Sequence, residues 1–266
     1  MGDESIGGPV PERVRGGGVQ SLDRAFALLE HLADGVGPDG VALSELASRS
    51  GLPLPTIHRL VRTLVASGHV RQLPSRRYAL GPRLIRLGEA ASRMLGEWAR
   101  PQLTALVTAT GESANLAMLD GDAVVYVAQV PSQHTMRMFT EVGRRVPAHC
   151  TGVGKALLAT LPTVEVRALI ARTGLPAATP HTITDPALLL RELDRVRARG
   201  YAVDDAEQEL GVRCVAVAVP GAPSATALSV SGPAARVTWE AVERIAPQLQ
   251  TAAQALAGQL AAAAPG

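Results

Sequence analysis

The run Gly152-Val153-Gly154-Lys155 invites comparison with a phosphate-binding loop and fails it. That motif needs a glycine five residues before its second one, where this chain has His149, and Ser or Thr after the lysine, where it has Ala156. What remains is a glycine turn opening a helix, whose first N–H groups lack intrahelical partners and suit a carboxylate or other anion. A bare strand-to-helix turn with no ligand is the alternative. His149 and Cys150 resemble a base and a nucleophile, but neighbours on extended backbone point to opposite faces. Cys214, in GVRCVAVAVP, sits where a cysteine serves as a small buried hydrophobe. Asp204, Asp205, Glu207 and Glu209 form an acidic cluster read as a loop after a strand. No histidine or further carboxylate converges on it by spacing, so no metal and no cofactor are expected. Ser229 and Ser231, two apart on a strand, share one face and either line a pocket or pack.

A different chemistry is written in residues 54–67, LPTIHRLVRTLVAS. Ile57, Leu60, Val61 and Leu64 recur at i, i+3, i+4 and i+7, an apolar stripe that predicts an amphipathic helix. Thr56, His58, Arg59, Arg62 and Thr63 fall off that stripe. Pro55 suits the first turn, and Gly68 suits a C-cap. The surrounding segment, 41–86, holds eight arginines and one acid, Glu45, hence +7, although the whole chain carries only +2. A basic block beside a remainder of −5 is the electrostatic footprint of a nucleic-acid module joined to something else.

The elements around that helix have the matching order. Residues 19–33 read as a helix with Ser21 as N-cap, and 34–40, rich in glycine, as a loop. Residues 44–50 form a short helix that Gly51 breaks, which gives a helix-turn-helix with 54–67. Two extended runs then flank Leu73-Pro74-Ser75-Arg76, a hairpin carrying Arg71, Arg76 and Arg77. Such a hairpin is the wing of a winged helix-turn-helix, which reads the major groove with its second helix and holds phosphate with the wing. Helix 84–98 follows, with Leu84, Leu87, Ala91, Met94 and Trp98 spaced as a heptad-like seam. It either packs on its own domain or pairs with its copy in a dimer.

Bulk composition limits the remaining classes. The chain has 266 residues, 47% hydrophobic, 19% charged and 3% aromatic, which suits one or two globular domains with aliphatic cores. No apolar run reaches the length of a membrane span, and residues 1–18 read as a disordered Gly/Pro arm, not a signal peptide. Two cysteines are too few for a disulfide scaffold, and a reducing cytoplasm is the simplest compartment. From Pro101 a helix is followed by strands 114–119 and 123–130 joined at Asp120-Gly121, and by strand candidates 136–139 and 145–149. Helices at 163–172 and 185–199, strands at 201–203, 212–219 and 225–231, and a helix over 237–260 complete one α+β domain.

These runs resemble one family. VQSLDRAFALLEHL, LSELASRSGLPLPTIHRLVRTLVASGHV and YALGPRLIRLG are similar to the DNA-binding half of IclR-type transcriptional regulators. PAHCTGVGKALLA, the run from Pro180 to Pro220, and SVSGP resemble the effector-binding half, so the likeness spans 19–260. The resemblance implies four segments. They are an arm (1–18), a winged helix-turn-helix (19–82), a linker helix (83–99), and a GAF-like antiparallel sheet flanked by helices that binds an effector (100–262). It implies a transcriptional repressor that binds a double-stranded DNA operator, works as a homodimer or a dimer of dimers and answers a small, often carboxylate-bearing metabolite. The pocket so implied draws on Gly152, Val153, Asp204, Cys214, Ser229 and Ser231. Leu54 and Pro55 depart from the family's usual small polar or basic pair at the start of the reading helix. Two alternatives stay open: a second domain that only dimerises, and a cysteine-dependent enzyme.

Overall fold

The computed structural model describes residues 19–35, 39–138, 141–222 and 224–263, so the expected arm lies outside the described residues. The chain divides into two compact units, 1–90 and 91–266. In the first, helices α1 (Gln20–Asp34), α2 (Leu43–Ser50) and α3 (Leu54–Ala66) precede a hairpin of β1 (Val70–Gln72) and β2 (Tyr78–Leu80). Leu28, Leu46, Ile57 and Val61 are buried together, one apolar stripe from each helix closing the core. Gly51 ends α2 with φ 65°, and its N–H bonds the Ala47 carbonyl at 3.0 Å. That left-handed cap turns the chain sharply enough for α3 to cross α2. The hairpin pairs Val70 with Leu80 and Gln72 with Tyr78, and Val41 bridges Tyr78 on the other side.

Two expectations in this unit change. Ser21 lies inside α1, whose N-cap is Val19, so it caps nothing. The seam does not run along one helix either. Helix α4 (Arg83–Leu95), within which the two units part, stops before Trp98, and a 3-10 turn, Glu97–Ala99, follows. Trp98 packs into the core of the second unit, whereas Ile85 and Leu87 are exposed. The Met94 side chain is outside the described residues.

The second unit begins with α5 (Arg100–Thr110), β3 (Ser113–Asp120), β4 (Ala123–Val130) and β5 (Arg145–Pro147). Three helices follow, α6 (Gly152–Leu158), α7 (Thr163–Thr173) and α8 (Pro186–Arg199). It ends with β6 (Ala202–Asp205), β7 (Val212–Ala218), β8 (Thr226–Pro233) and α9 (Trp239–Ala263). The strands form one antiparallel sheet in the order β5-β4-β3-β8-β7-β6. Strand alternation builds two cores. Leu116, Val215, Val217, Leu228 and Val230 face α5 and α9, while Ala117, Ala216 and Ala227 face α6, α7 and α8. The alanines on the second face leave room for α6 to lie close. Asp185 caps α8 by accepting from the Leu188 N–H at 2.8 Å, with Pro186 at the first helical position, as the sequence predicts.

Two further expectations are corrected. No strand forms over 131–138, and Phe139 is outside the described residues. Asp204 and Asp205 lie within β6, not in a loop, so they point to opposite faces of the sheet.

Helix α6 approaches its surroundings at two glycines. A Cβ at Gly154 would sit 2.1 Å from the Ala148 carbonyl oxygen and 2.5 Å from the Ala148 Cα. A Cβ at Gly152 would sit 3.0 Å from the Cys214 Sγ on β7. The first neighbour is backbone and cannot give way. Gly154→Ala is therefore expected to destabilise the second unit by at least about 3 kcal/mol, the upper range for overpacking. Gly88→Ala, in the open interior of α4 with nothing within 4 Å, is expected to leave stability unchanged or raise it. Urea unfolding of both variants checks the pair, and equal stabilities would contradict the close approach.

Candidate functional site

The basic face of the first unit is built on α3. Burial of Ile57 and Val61 turns His58, Arg59, Arg62 and Thr63 to solvent, with Thr56 half-buried at the start of the helix. Thr63 Oγ1 donates back to the Arg59 carbonyl at 3.1 Å. Leu54 is exposed beside Pro55, so the helix start presents an apolar group where the family pattern has polar ones. On the hairpin, Arg71 and Arg76 are exposed, and Arg76 adopts φ 61° at the tip. Arg77 differs from its neighbour. Its Nη2 lies 2.9 Å and 2.8 Å from the two carboxylate oxygens of Glu45 on α2, and its Nε donates to the Gly40 carbonyl at 2.9 Å. The Arg77 guanidinium holds Glu45 below the usual carboxylate range, and so does the Ala42 N–H it caps. Arg77, expected with Arg76 on phosphate, thus has its Nε and Nη2 engaged in fastening the wing to α2 and the Gly40 carbonyl.

In the second unit, two ladder rows cross the sheet on the face toward α6. One row sets Asp204, Cys214, Ser231 and Ser113 side by side, and the next sets Ala202, Ala216, Ser229, Asn115 and Gln129. Asn115 Nδ2 donates to Ser231 Oγ at 3.0 Å and to Ser229 Oγ at 3.4 Å, and Gln129 Nε2 donates to Asn115 Oδ1 at 2.8 Å. Gly152 stands over this floor, so close that a Cβ there would lie 3.0 Å from the Cys214 Sγ. Thr151 caps α6 by accepting from the Gly154 N–H at 3.2 Å. The Val153 side chain belongs to the core, so only its amide is available to a ligand. The fold therefore brings Gly152, Val153, Asp204, Cys214, Ser229 and Ser231 together in one buried polar cluster, which we call the cup, although 79 positions separate the first from the last.

The cup is polar but close to electrically neutral. Asp204 Oδ1 accepts from the Glu207 N–H at 2.8 Å and the Gln208 N–H at 3.4 Å. Burial nevertheless dominates and pushes its carboxyl up to about 7. Beside it the Lys155 ammonium pairs with Glu207, both nearly fully buried. Burial raises the Glu207 carboxyl, and Lys155 opposes that rise. Burial also pushes both thiols up to about 12, so neither is a thiolate nucleophile. His149 and Cys150 diverge. His149 Nε2 bonds the Pro176 carbonyl at 3.0 Å and lines a separate groove of about 350 Å³ with Val146 and Leu169. Cys150 Sγ donates to Gln208 Oε1 at 2.9 Å. No group of His, Cys, Asp or Glu among the described residues is arranged to hold a metal.

Asn115, Gln129 and the Lys155–Glu207 pair escaped sequence reasoning as site residues. One signal was present: asparagine in mid-strand is disfavoured and calls for a side-chain partner.

Two family models match in the order of the two units. "IclR helix-turn-helix domain" covers residues 21–74, and "Bacterial transcriptional regulator IclR C-terminal" covers residues 89–257. The HTH-type transcriptional regulator BhcR of Paracoccus denitrificans is 39% identical over 228 residues, 84% of this chain and 80% of that protein. The transcriptional repressor IclR of Escherichia coli is 38% identical over 245 residues, 90% of this chain and 89% of that protein. Among solved structures, an IclR transcriptional regulator from Alicyclobacillus acidocaldarius superposes with TM-score 0.80 at 32% identity, covering 91% of this chain and 98% of the other. An IclR homologue from Microbacterium hydrocarbonoxydans, solved with 4-hydroxybenzoate, gives TM-score 0.76 at 26% identity, covering 92% and 100%. With both units matched in sequence and in fold, the chain belongs to the IclR family of bacterial transcriptional regulators.

Proposed function

We propose that this chain is a repressor that binds an operator through α3 and its wing, and that a small carboxylate-bearing metabolite in the cup sets that binding. The observation that carries the reading is the convergence of four sheet positions, Asp204, Cys214, Ser229 and Ser231, beneath Gly152 and Val153 at the start of α6. Hydroxyl, amide and backbone N–H donors suit a carboxylate, and a carboxyl at Asp204 pushed up to about 7 repels it less than a fully ionised one would. The relative solved with 4-hydroxybenzoate holds an aromatic carboxylate, and the Escherichia coli relative is named a repressor. Thr56, His58, Arg59, Arg62 and Thr63 face the duplex, with Arg71 and Arg76 on phosphate. The chain works as a homodimer or a dimer of dimers in the cytoplasm. The exposed Ile85 and Leu87 on α4 and the need to read paired half-sites support pairing.

Four outcomes test the DNA-binding side of this reading. On an operator selected from random duplexes, affinity is expected to fall with salt at a log–log slope of about −0.9 per phosphate contact. Arg59→Glu with Arg62→Glu should abolish the binding, and retained binding would defeat the assignment of α3. Arg76→Ala should reduce the salt slope by about one contact. Arg77→Ala should instead lower the melting temperature.

A thermal-shift screen of small carboxylic acids, 4-hydroxybenzoate included, should find compounds that raise the melting temperature by mass action. Ser231→Phe should cancel the shift. A blank screen would favour a second unit that only dimerises.

Asp204 gives a pH test. Its folded-state carboxyl ionises only near 7, but an unfolded aspartate ionises near 3.8, so burial destabilises the fold increasingly across that interval. Asp204→Asn, which keeps an acceptor for the Glu207 N–H, should raise the melting temperature at about pH 8 and give no gain at about pH 4. A gain independent of pH would contradict the burial of an ionising group.

A further inference from the structure

The segment 131–138, between β4 and the residues leading to β5, forms neither helix nor strand, yet it is fastened at three points. Near its start, Ser132 Oγ donates to the Gly111 carbonyl at 2.5 Å, and the Ser132 N–H donates to Ser113 Oγ at 3.0 Å. At its end, Ser113 Oγ donates to the Met138 carbonyl at 3.0 Å. Ser113 is the last member of the ladder row Asp204, Cys214, Ser231, Ser113, so the Met138 carbonyl lies over the end of the cup floor. Between these points, Arg236 Nη2 donates to the Met136 carbonyl at 2.8 Å.

Arg236 is itself anchored. Its Nε pairs with Glu112 Oε1, and its Nη2 lies 2.9 Å from Glu112 Oε2. Glu112 is only 4% exposed, and its carboxylate occupies the space a side chain at position 232 would fill. A Cβ at Gly232 would lie 2.4 Å from Glu112 Oε2. The position of the pair in the chain gives it meaning. Gly111 and Glu112 directly follow α5, and Arg236 stands three residues before α9, the two helices on the opposite face of the sheet. The strap that borders the cup is thus tied to the roots of both reverse-side helices by its serines and by one ion pair, in which Glu112 is buried and Arg236 half-buried.

We propose that Glu112 and Arg236 are positioning residues that latch the strap 131–138 over the cup, so that opening the cup requires releasing this latch. The proposal rests on the reading of the cup as the effector site. It adds that access to the site, and the report of its occupancy to α5 and α9, pass through Arg236. A ligand that displaces the strap pulls on the Met136 carbonyl and hence on the guanidinium. A ligand that fits beneath it keeps the latch shut.

The two cysteines allow a test on the ligand-free full chain. Cys214 lies in the ladder row that ends beneath the strap. Cys150 lies beside Gln208, past the far edge strand β6, and serves as the control for general loosening. Arg236→Gln and Glu112→Gln each remove a charge-assisted hydrogen bond. They are expected to speed N-ethylmaleimide modification of Cys214 by about tenfold and leave Cys150 at its wild-type rate. Amide exchange in 131–138 should accelerate in parallel, and Arg236→Lys should restore part of the protection. Gly232→Ala, which crowds Glu112, should mimic the latch variants. Unchanged strap exchange and unchanged Cys214 reactivity would overturn the latch, and so would equal acceleration at both thiols. None of these readouts needs an effector, so a failure of the effector reading would show in the carboxylic acid screen and leave them intact.

Discussion

A single buried ion pair holds the cup in shape. Lys155 is the only lysine in the chain, and it is 1% exposed with its ammonium against Glu207. An isolated charge at that depth is prohibitively unfavourable, so each partner requires the other. The pair joins α6 to the turn after β6, and the Thr179 and Thr182 hydroxyls brace that turn by donating to its carbonyls. The two ends of the cup hang from these same elements, Gly152 from the start of α6 and Asp204 from the end of β6. The distance between the helix-start amides and the carboxyl is therefore set by the ion pair beside that carboxyl. A well-packed apolar pair could be as stable. It would not fix the rotation of α6 about its axis, which decides how closely Gly152 approaches the Cys214 sulfur.

The arginines divide by what surrounds them. Arg59, Arg62, Arg71 and Arg76 are exposed on the first unit, where a duplex can reach them. Arg77, Arg213 and Arg236 are half-buried and bond groups of the protein itself. Arg213 bonds Asp205 and the Val237 carbonyl and lies 4.8 Å over the Trp239 ring. In each case a planar fork ties one element to the carbonyls of another, a task that a compact ammonium performs less well. The positive charge of the chain is accordingly not a measure of its DNA surface.

Features that depend on local spacing could be read from the sequence. The stripe through Ile57 and Val61, the left-handed cap at Gly51, the turn at Leu73-Pro74-Ser75-Arg76 and the Asp185-Pro186 start of α8 are each dictated by neighbours within a few residues. Ser21 misled because a good capping residue lay two positions past the observed cap, Val19, and exposed ends are fixed by tertiary context as much as by propensity. Asp204 looked like a loop residue because Asp and Glu cluster around it; in the structure, backbone N–H groups partly offset its burial within β6. The Asn115–Ser231 contact spans 116 positions, and the Arg236–Glu112 pair 124. No periodicity encodes such pairings, which follow only from the order of strands in the sheet. The resemblance to a family carried the cup residues across that gap, but not the partners that orient them.

The solitary lysine has one more implication. With its amine enclosed, every cationic side chain that meets water among the described residues is a guanidinium or an imidazole. A guanidinium keeps its charge at any pH a cell attains and offers no amine to an acetyl group. The grip of this protein on nucleic acid is thus shielded from lysine acetylation, the modification that neutralises many basic surfaces. The charge that the arginines give its reading face is constant, and leaves control over binding to the geometry of the chain.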